Sequence, residues 1–187
     1  MPLTAVQLLW LNLVTSGVQH IGLAMEPGEG DEMQKPPRRP SEALFNPLMI
    51  KRVLLSALVV GATSFCCFAY LIYLGWGEIS ARNSTLLLMV LFENIQVLNS
   101  RSESRSILRH PLWTNPTLIV ATLAAQGIHI ASMYWPVMQR VLSTTPVTLA
   151  HWSSLLLAAC SILLVIELDK LLTRLTLKTA NTASKVA

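Results

Sequence analysis

Five long apolar stretches, separated by shorter polar segments, constrain this sequence more than any other feature. They cover approximately residues 3–25, 48–75, 83–100, 116–135 and 148–168. A helix of about 20 residues crosses the roughly 30 Å hydrocarbon core of a bilayer, so each stretch is long enough to span a membrane. None alternates apolar and polar residues as a barrel strand does. We therefore predict an all-α fold, a polytopic transmembrane helix bundle of five spans.

The composition excludes most soluble classes. Only 13% of the 187 residues are charged, about half of what a soluble domain carries. The basic residues lie between apolar runs rather than on one polar face, which argues against a nucleic-acid partner. The three cysteines, Cys66, Cys67 and Cys160, lie inside apolar runs and have no metal-ligand spacing. The sequence contains no phosphate-binding loop, nucleophile elbow or zinc motif, so we expect no catalytic residues in it.

The basic residues predict the orientation of the bundle. Of the 14 lysines and arginines, all but Arg82 and Arg140 fall in segments that five spans place on one side. The positive-inside rule makes that side cytoplasmic, so the N-terminus is expected outside and the C-terminus inside. We expect a multi-pass protein of the cell (inner or plasma) membrane, with the lipid bilayer as a partner. An odd number of spans with an outside N-terminus is typical of the tail end of a longer protein.

Two segments lie outside the spans. Residues 26–47 form the only long connection, which is first acidic and then rich in proline and basic residues, and its glycines and prolines exclude a continuous helix. Residues 179–187 are small and polar, and we expect them to form a flexible tail. The domain assignment is a transmembrane domain over residues 1–178, followed by that tail.

A carboxylate inside the third span is the first candidate for function. Glu93 lies ten residues into its window, and Gln96 and Ser100 share its helix face. An ionisable group at membrane depth costs about 2.5–3.5 kcal/mol on insertion scales, so it usually faces the bundle interior and has a task. The alternative is a protonated Glu93 that only hydrogen-bonds for packing.

The first span carries neutral oxygen donors. Asn12 and Ser16 are one turn apart, and Thr15 adjoins them. Gly17 beside hydroxyl residues indicates a helix that unwinds and frees backbone carbonyls for an ion. The alternative is ordinary hydrogen bonding between helices, worth about 0.6 kcal/mol per contact. The spacing favours neither.

Two motifs in this order resemble a known family. Residues 6–17 (VQLLWLNLVTSG) resemble the sixth transmembrane helix of P-type cation-transporting ATPases, and residues 26–27 and 33–38 (MQKPPR) resemble the connection that follows it. Glu93 and residues 99–106 (NSRSESRS) are similar to helix eight and its cytoplasmic exit in the calcium-pump-like branch, in its bacterial type. The resemblance covers essentially the whole chain, as family helices six to ten.

The resemblance implies a cation site shared with helices outside this chain. Asn12 and Thr15 match ligand positions of helix six, and Glu93 matches the carboxylate position of helix eight. Together with Ser16 and Gln96 they form the predicted cation-binding set. Ser16 departs from the pattern, because calcium-binding members have an aspartate there. The transported cation therefore stays open between a monovalent ion, a proton and a divalent ion.

The family's catalytic parts lie elsewhere. Its phosphorylated aspartate, in an Asp-Lys-Thr-Gly-Thr motif, and its nucleotide-binding domain lie between helices four and five. The chain itself is expected to hold no cofactor and not to hydrolyse ATP alone, whereas ATP and magnesium are implied for the longer protein. The connection at residues 26–47, with Pro36, Pro37 and Arg38, resembles the loop that touches the phosphorylation domain and would couple it to the helices.

The sequence leaves three hypotheses. The first is the C-terminal membrane half of an ATP-driven cation pump, whose partners are the transported cation and the N-terminal helices and cytoplasmic domains of the same pump. The alternative is a stand-alone five-helix channel or accessory membrane subunit without ATPase activity. The third is a structural bundle in which Glu93 has no ion role.

Overall fold

The chain is helical throughout the residues that the computed structural model describes, which are 1–28, 47–102 and 111–186. In chain order the elements are α1 (Ala5–Trp10), a π-helical segment (Leu11–Ser16), α2 (Gly17–Ala24), α3 (Pro47–Tyr73), α4 (Glu78–Asn99), a short 3-10 helix (Leu112–Thr114), α5 (Pro116–Tyr134), α6 (Pro136–Leu142) and α7 (Leu149–Val186). The all-α prediction is therefore confirmed for the described residues.

The helices fall where the apolar stretches predict them. The first stretch becomes the continuous run of α1, the π-helical segment and α2, and the others become α3, α4, α5 and α7. By length and composition, two of the described helices, α3 and α5, are able to cross a membrane. The five-span count and the orientation of the termini stay predictions.

Three boundaries differ from the sequence expectation. Helix α4 begins at Glu78, before the predicted start at residue 83. Pro136 lacks a backbone N–H and holds Trp135 in an extended conformation, so the chain bends there and forms the short α6, which we did not predict. Helix α7 continues to Val186, so the backbone of the expected tail is helical up to that residue.

Helix α4 lies at the centre of the bundle. Its leucines and Phe92 form the largest buried cluster with Leu155, Ala159, Ile162 and Ile166 of α7 and with Met133 of α5. Burial on nearly all sides explains how a helix with so many polar residues is accommodated, since its polar side chains face other helices rather than the outer surface.

A close contact joins the first and fourth predicted spans. A Cβ atom at Gly22 of α2 would lie 2.9 Å from the Cα of Leu118 in α5. Asn115 reinforces the contact: its side chain accepts from the Leu118 N–H (2.9 Å) at the start of α5 and donates to the Gly22 carbonyl (2.9 Å). The N-cap of α5 thus holds α2 against that helix and fixes the position of the π-helical segment.

Candidate cation site

The π-helical segment sets the direction of the hydroxyl side chains in the first predicted span. The Gly17 N–H donates to the Asn12 carbonyl, five residues back, so one residue more than usual fits into the turn. The sequence predicted unwinding here, and the structure instead shows a wider helix in which the backbone stays hydrogen-bonded. Single π-helical turns inside α-helices occur frequently at functional sites.

Thr15 and Glu93 meet at the centre of the site. Thr15 is fully buried, and its hydroxyl makes a hydrogen bond with Oε2 of Glu93, 78 positions further along the chain. The Ser16 hydroxyl also interacts with this carboxyl group. Two segments far apart in sequence thus bring two hydroxyls to one carboxylate inside the bundle.

The hydrogen bonds of Thr15 allow two arrangements of protons. Its hydroxyl also lies 2.6 Å from the Leu11 carbonyl oxygen, but it has only one proton to donate. If Glu93 is ionised, Thr15 donates to the carboxylate and gives up the bond to Leu11. If Glu93 is protonated, it donates to Thr15, and Thr15 donates to Leu11. The pair can therefore hold Glu93 in either protonation state with its oxygen Oε2 satisfied.

An amide network lies beside Glu93. The Gln19 side chain of α2 donates to Asn94 (2.5 Å), and Asn94 donates to Gln126 of α5 (2.7 Å). Sequence reasoning did not include these residues in the site, because Asn94 lies off the helix face of Glu93. The sequence feature that could have identified the network is that Gln19, Asn94 and Gln126 place one amide side chain in each of three predicted spans. The network fixes the rotation of α4 against α2 and α5, and so the direction of Glu93.

The other predicted site residues lie apart from this pair. The Asn12 side chain is exposed, and only its carbonyl takes part in the π-helical hydrogen bonding. Gln96 donates to the Ser56 hydroxyl of α3 (3.2 Å), away from Thr15. The predicted coupling residues Pro36, Pro37 and Arg38 lie outside the described residues. The structure therefore brings together three of the five predicted cation-binding residues: Thr15, Ser16 and Glu93.

When Glu93 is ionised, this arrangement offers hard oxygen ligands around one negative charge. Within the described residues, no group of three or more histidine, cysteine, aspartate or glutamate side chains could hold a metal ion. A carboxylate and two hydroxyls suit a cation that prefers oxygen, but calcium, for example, takes six to eight such ligands. The group is therefore suited to contribute part of a cation site rather than a whole one.

A buried ion pair closes one end of the bundle. The Arg101 guanidinium, whose side chain is 2% exposed, donates to both carboxylate oxygens of Glu26 at 2.7–3.0 Å and also contacts Thr114. Asn115 donates to Glu26 as well (2.8 Å). These contacts, which we call the Arg101–Glu26 clasp, connect the C-terminal end of α2 to the C-terminal end of α4 and to the N-terminal end of α5. The segment after residue 26 therefore starts at a position that is fixed relative to these helices.

Comparison with known proteins identifies the family of the chain and several relatives. A family model described as "Cation transporting ATPase, C-terminus" matches residues 1–172. A probable cation-transporting ATPase F of Mycobacterium tuberculosis is 31% identical over 175 residues, which are 94% of this chain and 19% of that protein. An endoplasmic reticulum calcium ATPase of Aspergillus fumigatus is 29% identical over 199 residues, covering 90% of this chain and 20% of that protein.

A second bacterial relative also matches most of this chain. A calcium-transporting ATPase of Bacillus subtilis is 29% identical over 153 residues, which are 81% of this chain and 17% of that protein. The chain thus spans about a fifth of the length of the curated relatives that it matches.

Proposed function

The chain belongs to the cation-transporting ATPase family, as its C-terminal region, and from this premise we propose that it forms the C-terminal membrane half of an ATP-driven cation pump. In that pump it supplies Glu93, Thr15 and Ser16 to a cation site halfway through the membrane. The observation that carries the proposal is the hydrogen bond between the buried Thr15 and the half-buried Glu93, which joins two separate helices at a carboxyl group.

The distribution of apolar side chains supports a membrane environment. Large apolar residues of α3 and α5 are exposed on the outside of the bundle, among them Leu54 (65%), Leu58 (68%) and Leu123 (67%). In water such a surface would be costly at about 25 cal/mol per Å² of apolar area. We place these faces against lipid or against the preceding helices of the same pump, in a five-span arrangement with a cytoplasmic C-terminus.

The remaining parts of the pump would lie outside this chain. Further oxygen ligands for the cation would come from the preceding helices, and ATP and magnesium would bind to the cytoplasmic domains. Residues 26–47, with Pro36, Pro37 and Arg38, would contact the phosphorylation domain. Because the Arg101–Glu26 clasp fixes the start of this connection against α4, a movement of the connection would be transmitted to the helix that carries Glu93.

Removing the charge of Glu93 tests the proposal. In the full-length pump, Glu93→Gln keeps the size of the side chain, and we expect it to abolish cation-stimulated ATPase activity without loss of expression. Glu78→Gln is the matched control, because Glu78 is half-exposed at the start of α4 and pairs with Arg82. We expect it to leave the cation dependence unchanged. An unchanged cation dependence in Glu93→Gln would remove Glu93 from the site.

No observation favours the alternative of a stand-alone channel or accessory subunit, and the coding sequence upstream of residue 1 separates the two. The pump requires an Asp-Lys-Thr-Gly-Thr motif in the same reading frame. A stop codon in that frame would instead support the stand-alone protein.

A further inference from the structure

Two neighbouring cavities lie where α4 and α7 begin and α5 ends, away from the Thr15–Glu93 pair. One is polar, has a volume of about 150 Å³ and lies between the start of α4, the connection from α6 to α7 and the first turn of α7. The other is an apolar groove of about 380 Å³ between the end of α5 and the start of α7. Val147 lines both, so the two cavities are adjacent and can hold the two ends of one amphipathic molecule.

The wall of the polar cavity leaves one hydrogen-bond acceptor unpaired. Asn83, which is only 2% exposed, lines the cavity and donates from Nδ2 to the Thr145 carbonyl (2.8 Å). A carbonyl oxygen only accepts hydrogen bonds, so this contact fixes which end of the amide faces Thr145. The Oδ1 atom of Asn83 is buried and has no partner among the described residues. Because a buried acceptor without a partner is costly, the cavity favours a ligand that carries a hydrogen-bond donor.

His151 adds a second acceptor to the polar cavity. With its one proton on the Ser80 carbonyl (2.9 Å), the Ser84 hydroxyl accepts from Nε2 of His151 (2.9 Å), and Nδ1 of the neutral ring is then an acceptor. Trp76 stacks on His151 with ring centroids 5.1 Å apart, and the face of an indole ring attracts a cation. The described residues that line the cavity include no aspartate, glutamate, lysine or arginine. These walls suit a primary ammonium group, which is a cation with three donors.

The apolar groove presents an unpaired donor. Its lining consists of Ile130, Met133, Tyr134, Val147, Leu149 and Trp152. The Nε1 atom of Trp152, which can only donate, is buried and has no partner among the described residues. A buried indole N–H usually has a hydrogen-bond partner. The groove therefore suits an acyl chain whose ester carbonyl accepts from Trp152.

The N-terminal end of α7 lies between the two cavities. Thr148 lines the polar cavity, and Leu149, the first residue of α7, lines the groove. The first N–H groups of a helix and its dipole favour a negatively charged group at this position. In the orientation given under the proposed function, on which this inference rests, the region lies at the extracytoplasmic border of the membrane. From the polar cavity to the groove, the favoured groups are thus a cationic donor, an anion, an ester carbonyl and an acyl chain.

We propose that the two cavities bind one phospholipid of the phosphatidylethanolamine type. Its ammonium group donates to Asn83 in the polar cavity, and its phosphate lies at the start of α7. An ester carbonyl accepts from Trp152, and one acyl chain fills the apolar groove. The lipid would hold α4 and α5 against the start of α7 on the extracytoplasmic side.

Lipid retention by the full-length pump tests this inference. The pump is reconstituted in nanodiscs that contain equal amounts of phosphatidylethanolamine and phosphatidylcholine, and the lipids kept after extraction into detergent are measured by native mass spectrometry. The choline headgroup is also a cation but has no N–H to donate. We therefore expect wild type to retain phosphatidylethanolamine about tenfold over phosphatidylcholine. Asn83→Leu should remove this preference, because it removes the acceptor.

A second variant keeps the test valid if Asn83→Leu does not fold. Val147→Trp places an indole ring between the two cavities without removing a polar group, and it should lower retention of phosphatidylethanolamine to the level of phosphatidylcholine. Val120→Trp is the matched control. Val120 is 65% exposed near the other end of α5, so this variant adds the same ring away from both cavities and should leave retention unchanged.

Three results would overturn parts of the inference. Equal retention of the two lipids by wild type would overturn the assignment of a primary ammonium. Equal retention of phosphatidylethanolamine by wild type and by Val147→Trp would overturn the site itself. Displacement of the lipid by millimolar phosphoethanolamine, which has no acyl chains, would overturn the assignment to a lipid and indicate a site for soluble amines.

Retention is measured without ATP or transported ion, so it separates this inference from the proposed function. Selective retention by a pump whose cation dependence is unaffected by Glu93→Gln would contradict the proposed function alone. A pump that depends on Glu93 but does not retain phosphatidylethanolamine would contradict the lipid site alone.

Discussion

At the scale of single residues, the site depends on which of two oxygen atoms accepts the one proton of the Thr15 hydroxyl. Thr15 faces the Leu11 carbonyl on one side and the Glu93 carboxyl group on the other. The sequence indicated the two residues separately, as a polar position in each of two apolar stretches. It did not indicate that the two side chains form a hydrogen bond, because that contact depends on the π-helical turn and on the packing of α4.

Thr15→Val removes the hydroxyl with little change in shape. Because hydrogen bonds to charged groups contribute about 1.5–3 kcal/mol, we expect cation affinity of the full-length pump to fall by about tenfold or more. Thr122→Val is the control, since the Thr122 hydroxyl of α5 is buried with no partner among the described residues. It should leave affinity unchanged. Cation-stimulated ATPase titrations measure both, and equal affinities for the two variants would contradict the role of Thr15.

Asp169, just beyond the fifth predicted span, gives a dependence on pH. Burial alone would raise the pKa of Asp169, but hydrogen bonds and positive charges from Lys51 and Arg52 outweigh burial and hold that pKa below its usual range. A carboxyl group with a lowered pKa in the folded state stabilises the protein above its unfolded pKa of about 3.9. This stabilisation is lost as the pH falls through the lowered value.

We therefore expect Asp169→Asn to lower the Tm of the detergent-solubilised full-length pump at pH 7. The difference from wild type should shrink as the pH is brought below about 4. Glu78→Gln, in an exposed pair with Arg82, should change the Tm little at either pH, as exposed pairs usually do. A difference between Asp169→Asn and wild type that stays constant with pH would contradict this account.

At the scale of the helices, the length of each apolar stretch predicted where the helices lie. The spacing of polar side chains predicted only roughly which face of a helix meets a neighbouring helix. Glu93 and Gln96 are three residues apart, which leaves them about 60° apart around the helix axis. In the packed bundle that angle directs Glu93 to Thr15 and Gln96 to Ser56 of α3. Spacing within one helix does not specify which neighbouring helix each side chain meets, so the placement of Gln96 could not be predicted.

The close approach of α2 and α5 gives a prediction at this scale. Gly22→Ala would place a methyl group 2.9 Å from the Leu118 backbone, and overpacking of this kind costs about 1–3 kcal/mol. We expect a lower Tm for the full-length pump. Gly127→Ala in α5 is the control, because nothing lies within 4 Å of its added Cβ, and it should be neutral or stabilising. An unchanged Tm in Gly22→Ala would show that the helices separate without cost.

At the scale of the whole molecule, the charge distribution predicts a five-span topology with a cytoplasmic C-terminus. The helices that correspond to the five predicted spans are present among the described residues, and the family model covers residues 1–172. In the proposed pump, the remaining cation ligands and the phosphorylation domain would lie outside this chain. No spacing within these residues could specify them.

The topology is tested by labelling single cysteines in a background without Cys66, Cys67 and Cys160. In intact cells, a membrane-impermeant maleimide should label Arg140→Cys, because α6 is predicted to lie outside. It should label Lys185→Cys only after the membrane is permeabilised, because the C-terminus is predicted inside. Labelling of both in intact cells would contradict the five-span orientation.

The most direct test of the central claim is cation occlusion by the full-length pump, measured at equilibrium without ATP. If Glu93 and its hydroxyl neighbours hold the transported cation, wild type occludes it with a definite stoichiometry and Glu93→Gln loses at least one bound ion. If Glu93→Gln occludes as many ions with the same affinity, the half-buried carboxyl group only packs the helices and does not bind the cation.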